Sequence, residues 1–318
     1  MTSGMHRIRA KTLFVLASVL LGLGVGLPIA TASAAPAKTV SIPKLMLLPS
    51  VNLVLSVGDV AKSKQFYGDV LQLKPMANLN LPGGLVMTRY QVGTTEIKFL
   101  HNPAADKKET GALDAAHGIR RLTLFFRDEP GLAERFQANG LAAPDFAADP
   151  AREGSRHAIA SDPDGNEIEL VVPPASAAAE VLSAIELRLS VSDLEKSRKF
   201  YRDFVGFAEL KPAAATEAGG GTLHSYRYGN TTITLGQGDP ALPTHSGRWE
   251  EARGMRYIQY IVRDLDAVDA YARSSGVTIE EPIFPLGNLA RIMFIADPDG
   301  IINEFVGLGL PPRPAKRP

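Results

Sequence analysis

A repeat constrains this chain more than any other feature. Residues 53–67 read LVLSVGDVAKSKQFY, and residues 187–201 read LRLSVSDLEKSRKFY. Their aspartates, Asp59 and Asp193, stand 134 residues apart. A second landmark, SDPDGNEIELV at 161–171, returns as ADPDGIINEFV at 296–306, with Asp162 and Asp297 separated by 135 residues. Two landmarks at nearly one offset mean an internal duplication. A chain of 318 residues has the length for about two domains, each with its own core.

A weaker repeat divides each copy. LTLFFRDEPGLAERF (122–136) and IQYIVRDLDAVDAYA (258–272) share the shape of the opening segments: a strand, an Asp, then a helix. Val51 to Val57 and Ile185 to Val191 are apolar or alternating and rich in β-branched residues, as half-buried strands should be. Asp59, Asp128, Asp193 and Asp264 stand where helix N-caps belong. Ala61, Phe66 and Val70, then Leu194, Phe200 and Phe204, recur at helical spacing. Segments 89–100 and 225–236 read as strand pairs broken by glycine turns, and Asp-Pro-Asp-Gly is a turn. Each half-unit is therefore expected to be β-α-β-β-β. The units span 45–173 and 181–308, with Pro173-Pro174 opening a linker over 174–180 and a disordered tail at 309–318.

The N-terminus has its own logic. His6, Arg7, Arg9 and Lys11 form a basic region, Thr12 to Ala30 is apolar, and Ala32-Ser33-Ala34 is a small-x-small cleavage site. That order is a secretory signal peptide over residues 1–34, and it implies a periplasmic or secreted protein. Balanced charge, 34 basic against 34 acidic residues, offers nothing to nucleic acid or to an acidic membrane once the signal is cleaved. The absence of cysteine excludes a disulfide framework, a cysteine nucleophile and a thiolate metal site. A monomer or a homodimer fits equally.

A strand, D-x-x-K-S-x-x-F-Y, a hairpin, a second strand–Asp–helix and D-P-D-G-x-x-x-E form a pattern that covers 50–173 and again 181–307. It resembles the vicinal-oxygen-chelate superfamily of glyoxalases, bleomycin-resistance proteins and extradiol dioxygenases. The resemblance implies an α+β fold of tandem glyoxalase-like domains. In each, two βαβββ modules curl into a cleft for a small molecule and, in many members, a divalent metal such as Zn, Ni, Fe or Mn.

The family's ligand places lie on the first strand of each half-unit and four residues after the Gly of D-P-D-G, with a further one late in the first half-unit. In the first copy they hold Asn52, Arg121 and Glu169, with Lys98 near the fourth. Arginine has no lone pair to give a metal, so Arg121 is expected to replace the cation and to pair with Glu169. In the second copy they hold Glu186, Tyr257 and Glu304, with Thr234 near the fourth. Glu186, Tyr257 and Glu304 could hold a metal, and His224 could add a ligand. Glu186 could instead pair with Arg188 two residues along the same strand face. Half-units could also combine across copies, which would bring Glu186 to Arg121 and Glu169, and Asn52 to Tyr257 and Glu304.

The even positions Glu186, Arg188 and Ser190 are polar between apolar neighbours, and Asn52, Val54 and Ser56 repeat the parity, so one sheet face is expected to line a wetter cleft. Arg156, His157 and Arg291 read as solvated strand positions, and His101, His117 and His245 as surface. Trp249, beside Arg248 and Glu250, could cover a cleft mouth. Gly219-Gly220-Gly221 lacks the strand-to-helix context of a phosphate loop. Two functions are open. One is a binding protein that holds a small organic ligand at Asn52, Lys98, Arg121, Glu169, Arg188, His224 and Tyr257. The other is a metal-assisted lyase, isomerase or dioxygenase in which Glu186 or Glu304 moves a proton.

Overall fold

The computed structural model describes residues 40–214, 221–244 and 250–308. The leader, the tail, Gly219, Gly220, His245, Arg248 and Trp249 lie outside them. Four modules follow one another. The first carries β1 (Asn52–Val57), β2 (Lys74–Asn80), β3 (Val86–Val92) and β4 (Thr95–His101), and the second β5 (Gly118–Phe125), β6 (Ala147–Ala148), β7 (Arg156–Ser161) and β8 (Glu167–Val172). The third carries β9 (Ile185–Val191), β10 (Ala208–Glu209), β11 (Ala213–Ala214), β12 (Thr222–Tyr228) and β13 (Thr231–Gln237). The fourth carries β14 (Gly254–Val262), β15 (Thr278–Leu286), β16 (Ala290–Ala296) and β17 (Ile302–Leu308).

A helix follows the first strand of each module. Two of the four, starting at Val60 and Leu194, change to a π-helical turn over Gln65–Val70 and Lys199–Phe204. Each helix is capped as its sequence requires. The Asp59 side chain accepts from Ala61 N and Lys62 N, Asp128 from Gly131 N, Asp193 from Lys196 N and Asp264 from Ala267 N. Such a cap contributes about 1 kcal/mol.

The strands assemble across the two sequence copies. One sheet runs β15-β16-β17-β14-β1-β4-β3-β2, joining the fourth module to the first. The other runs β10-β12-β13-β9-β5-β8-β7-β6, joining the third to the second. The seams are antiparallel. Asn52 faces Gln259 across β1 and β14, and Thr123 faces Glu186 across β5 and β9. Of the two pairings open in the sequence, this is the one across copies, so each curled sheet takes strands from both copies.

What ties the modules of one copy together is the repeated landmark chemistry. Tyr67 of the F-Y pair donates to Asp162 of the D-P-D-G turn at 2.9 Å, and Tyr201 donates to Asp297 at 3.0 Å. The second Asp of each turn accepts from the backbone beside the opposing strand, Asp164 from Gly58 N at 3.2 Å and Asp299 from Ser192 N at 3.1 Å. The main core lies between the helices and one face of both sheets, with Leu53, Leu55, Phe66, Leu122, Leu187, Tyr201 and Phe305 buried together. Each such side chain contributes about 1.5–3 kcal/mol by leaving water. The opposite sheet faces form two clefts.

Candidate functional site

The clefts differ in chemistry although the strands that build them are equivalent. The eight-stranded sheet curls around a cavity of about 280 Å³. Its walls are apolar: Val54, Met87, Leu100, Tyr257, Ile292 and Phe294 form a second buried cluster there. The parity of β1 leads one to expect a wetter face, but Val54 and its neighbours across the sheet make it oily.

The floor of this cleft is polar. Asn52, Gln259 and Glu304 lie in one row across β1, β14 and β17. Asn52 Nδ2 donates to Gln259 Oε1 at 3.0 Å, and Gln259 Nε2 donates to Glu304 Oε2 at 2.7 Å. Lys98 reaches the row from β4, its Nζ 2.6 Å from Gln259 Oε1. The same ammonium lies 3.3 Å from Glu96, which also pairs with Arg89 at 3.1 Å. Burial holds Lys98 below the usual lysine range, and Glu96 and Glu304 oppose that shift. Burial likewise pushes the Glu304 carboxyl up, against Gln259 and Lys98.

The nine-stranded sheet curls around a larger cavity of about 440 Å³ with many charged walls. Glu186, Thr123 and Glu169 form the equivalent row across β9, β5 and β8. Arg152, from the hairpin between β6 and β7, reaches into it. Its Nη1 lies 2.7 Å from Asp149, and its Nη2 lies 2.6 Å from Glu186 and 3.5 Å from Glu169. Its guanidinium also lies 5.7 Å from the centre of the Phe125 ring, within cation–π range. Glu169 accepts from Thr123 Oγ1 at 2.7 Å and lies 3.0 Å from His157 Nδ1. Burial pushes Glu169 up, but Arg152, Thr123 and His157 outweigh it and hold the carboxyl below its usual range. Burial opposes the Arg152 charge, and Glu186 and Glu169 more than restore it. Asp149, His157 and Glu169 bring potential ligand atoms within 4.8 Å of one another.

Several expectations need correction. Arg121 pairs with Glu167 at 3.0 Å, not with Glu169, because Arg121 and Glu167 are register partners on β5 and β8. Glu186 meets Arg152 rather than Arg188, and Arg188 lies along the cavity wall close to Gly236. Glu186 and Glu304 cannot share a metal: the first lines the polar cleft and the second the apolar one, where Tyr257 also lies, its ring tilted at 41° to that of Phe294. His224 faces away from the cleft, toward Glu209 at 3.4 Å, because its neighbours Leu223 and Ser225 take the cleft side of β12. Thr234 lines the polar cleft and shares a hydrogen bond with Ser225 at 2.8 Å.

His157 is a cleft residue rather than a solvated one, and His117 is fully buried beneath Ser190 and Gly238 rather than at the surface. Arg156 pairs with Glu129 and Arg291 with Asp266, both away from the cleft floors. The sequence reading missed Gln259, Thr123, Arg152 and Asp149. Gln259 and Thr123 share strand parity with Tyr257 and Arg121, so the available signal was the register against Glu304 and Glu169.

Residues 50–170 and 183–305 each match the family model of the Glyoxalase/Bleomycin resistance protein/Dioxygenase superfamily. A lactoylglutathione lyase of rice, Oryza sativa subsp. japonica, is 25% identical over 269 residues, covering 79% of this chain and 86% of its own. A probable lactoylglutathione lyase of Vibrio cholerae is 30% identical over 127 residues, 37% of this chain and 85% of its own. Among solved structures, glyoxalase I from Zea mays matches with a TM-score of 0.60 at 21% identity, over 81% of this chain and 92% of that one. A putative dioxygenase from Bacillus subtilis matches with a TM-score of 0.57 at 17% identity, over 83% of this chain and 86% of that one. At these identities the structural likeness speaks for the fold alone.

Proposed function

The chain belongs to the glyoxalase/bleomycin resistance protein/dioxygenase superfamily, and we propose that it is an exported binding protein that holds a small organic molecule in its clefts without a divalent metal. One observation carries this reading. Lys98 Nζ lies 2.6 Å from Gln259 Oε1, one of the oxygens that the row Asn52–Gln259–Glu304 would offer a cation. An ammonium has only donors, so it competes with a metal for that oxygen and repels its charge. The donor set of the apolar cleft therefore does not fit a divalent ion. In the polar cleft Arg152 takes the corresponding position among Asp149, Glu169 and Glu186. Export rests on the basic, apolar and small-x-small order of residues 1–34.

Elemental analysis of the mature protein, isolated without chelator, tests the reading. Metal well below one equivalent, unchanged after incubation with Zn, Ni or Mn salts, is the expected result. One tightly held equivalent would overturn it.

A second reading is favoured by one feature. Asp149, His157 and Glu169, with Glu186 nearby, are the donor types that hold Zn, Ni, Fe or Mn, and the relatives named above are lyases. On that reading the polar cleft is the centre of a lyase, isomerase or dioxygenase, where a metal would polarise vicinal oxygens. Arg152 would have to leave the carboxylates first, so stoichiometric metal in the isolated protein discriminates the two readings.

A further inference from the structure

We propose that the apolar cleft is a site for a small monocarboxylic acid with an aliphatic or aryl tail, its carboxylate on Lys98 and its tail along Leu79, Met87, Leu100 and Ile292. This rests on the reading of the protein as a metal-free binder and names the ligand class.

The walls select the tail. Among the described residues, the side chains above the floor of this cavity are apolar or aromatic, so a sugar, a nucleotide or a peptide backbone would leave most of its polar groups without partners there. The size limits it. A cavity of about 280 Å³, at the roughly 30 Å³ that a water molecule occupies in the liquid, has room for about nine or ten non-hydrogen atoms.

The floor selects the head group. Of the polar groups lining the cavity among the described residues, Lys98, Gln259, Glu304 and the Tyr257 hydroxyl, only Lys98 is a cation. Its ammonium has three N–H donors. One goes to Gln259 Oε1 at 2.6 Å and one to Glu96 at 3.3 Å, which leaves a third for the cavity. The Lys98 charge is also poorly matched. Glu96 serves both Lys98 and Arg89, so two cations share one carboxylate. Glu304 also acts on the Lys98 charge, while its hydrogen bond goes to the amide of Gln259. A buried cation with a shared counter-ion is costly, and an anion delivered on an apolar tail offsets that cost. A ligand amine would instead meet Lys98 as a like charge. The polar cleft also has apolar lining, but three arginines and three carboxylates stand among it, so the two clefts differ in the charge that a ligand head and tail would meet.

Isothermal titration of the mature protein with octanoate, 1-octanol and octylamine tests the proposal. These probes share a tail and differ in the head. Octanoate is expected to bind at one per chain, at least about tenfold more tightly than octanol, which is the weight of a charge-assisted hydrogen bond. Octylamine is expected not to bind. Lys98→Met should remove the preference for octanoate over octanol while keeping octanol binding. Ile292→Trp should abolish both by filling the cleft, and Lys62→Met, at an exposed helix start outside either cleft, should change neither.

Equal binding of octanoate and octanol by the wild-type protein would overturn the assignment of the head group, and this comparison needs no variant to fold. Binding of none of the three would overturn the tail as well. Either failure is separate from that of the metal-free reading, which elemental analysis of the same preparation decides alone.

Discussion

Arg152 Nη2 lies 2.6 Å from Glu186, although the two residues belong to different copies of the sequence repeat. The contact exists because β5 and β9 pair along the seam, which sets the first strand of the second copy beside the hairpin of the first. One guanidinium thereby holds three carboxylates, Asp149, Glu169 and Glu186, in one cleft.

Removing that guanidinium has two expected consequences. Arg152→Met leaves the carboxylates facing each other and costs about 2–3 kcal/mol at neutral pH, less than a fully buried pair because Arg152 is partly exposed. Urea denaturation should show the loss shrinking as acid neutralises the carboxylates. The same variant vacates the space among Asp149, His157 and Glu169, so it should bind Zn by calorimetry where the wild-type protein does not. Equal Zn binding by both proteins would show that Arg152 does not guard the site.

The Tyr–Asp bonds between modules predict symmetric losses. Tyr67→Phe and Tyr201→Phe each remove a buried hydroxyl that donates to a D-P-D-G aspartate. Each should cost about 1–2 kcal/mol in thermal or urea unfolding, since the carboxylate keeps other donors from its own turn. A large cost for one and none for the other would mean that the two copies do not share their mechanics.

These bonds also explain what could be read from the sequence. F-Y and D-P-D-G recur because each Tyr needs its Asp, and the capping aspartates recur because each helix start needs an acceptor. Those are local or copy-internal demands, so they leave a visible pattern. The pairing of copies is different: Ile185–Val191 would look the same whichever seam it joined. The ligand row was misplaced by two residues for a related reason. Arg121 and Thr123 share a strand face, as do Tyr257 and Gln259, and parity cannot separate them. Only the register against Glu169 and Glu304 can, and the seams carry irregularities near Val54 and Ile119 that no spacing rule anticipates. Arg152 sits in a hairpin with no motif. Its one signal is a surplus of acid on the strands that face it.

Glu109 offers a test of the interior between the sheets. Arg256 is fully buried and pairs with the Glu109 carboxylate, while Arg120, nearly as buried, donates to the Glu109 carbonyl. Glu109→Gln removes the anion that pairs with both the buried Arg256 and the exposed Lys107, at a cost of about 3–5 kcal/mol. Most of the loss should be insensitive to salt, because the Arg256 end of the cluster is fully buried and only the Lys107 end meets solvent. A salt-sensitive loss below about 1 kcal/mol, measured by urea denaturation, would mark the pair as solvent-screened.

Asp297 makes stability depend on pH in the neutral range. Burial, then the neighbouring Asp299, push its carboxyl up to about 7, against donation from Ile301 N, the Tyr201 hydroxyl and Asp299 N. The unfolded value lies near about 3.9. The folded protein therefore holds an extra proton between those values. Its contribution is full below the unfolded value and is lost as pH rises through about 7. Asp162, the equivalent residue, is raised mainly by burial and adds to the same trend. Unfolding free energy should accordingly fall between about pH 5 and pH 7.5, and Asp297→Asn, which is neutral at every pH, should flatten part of that fall. Denaturant titrations of both proteins across the range decide it: an identical slope in the variant would mean that the three donors hold Asp297 ionised, and that the pH dependence arises elsewhere.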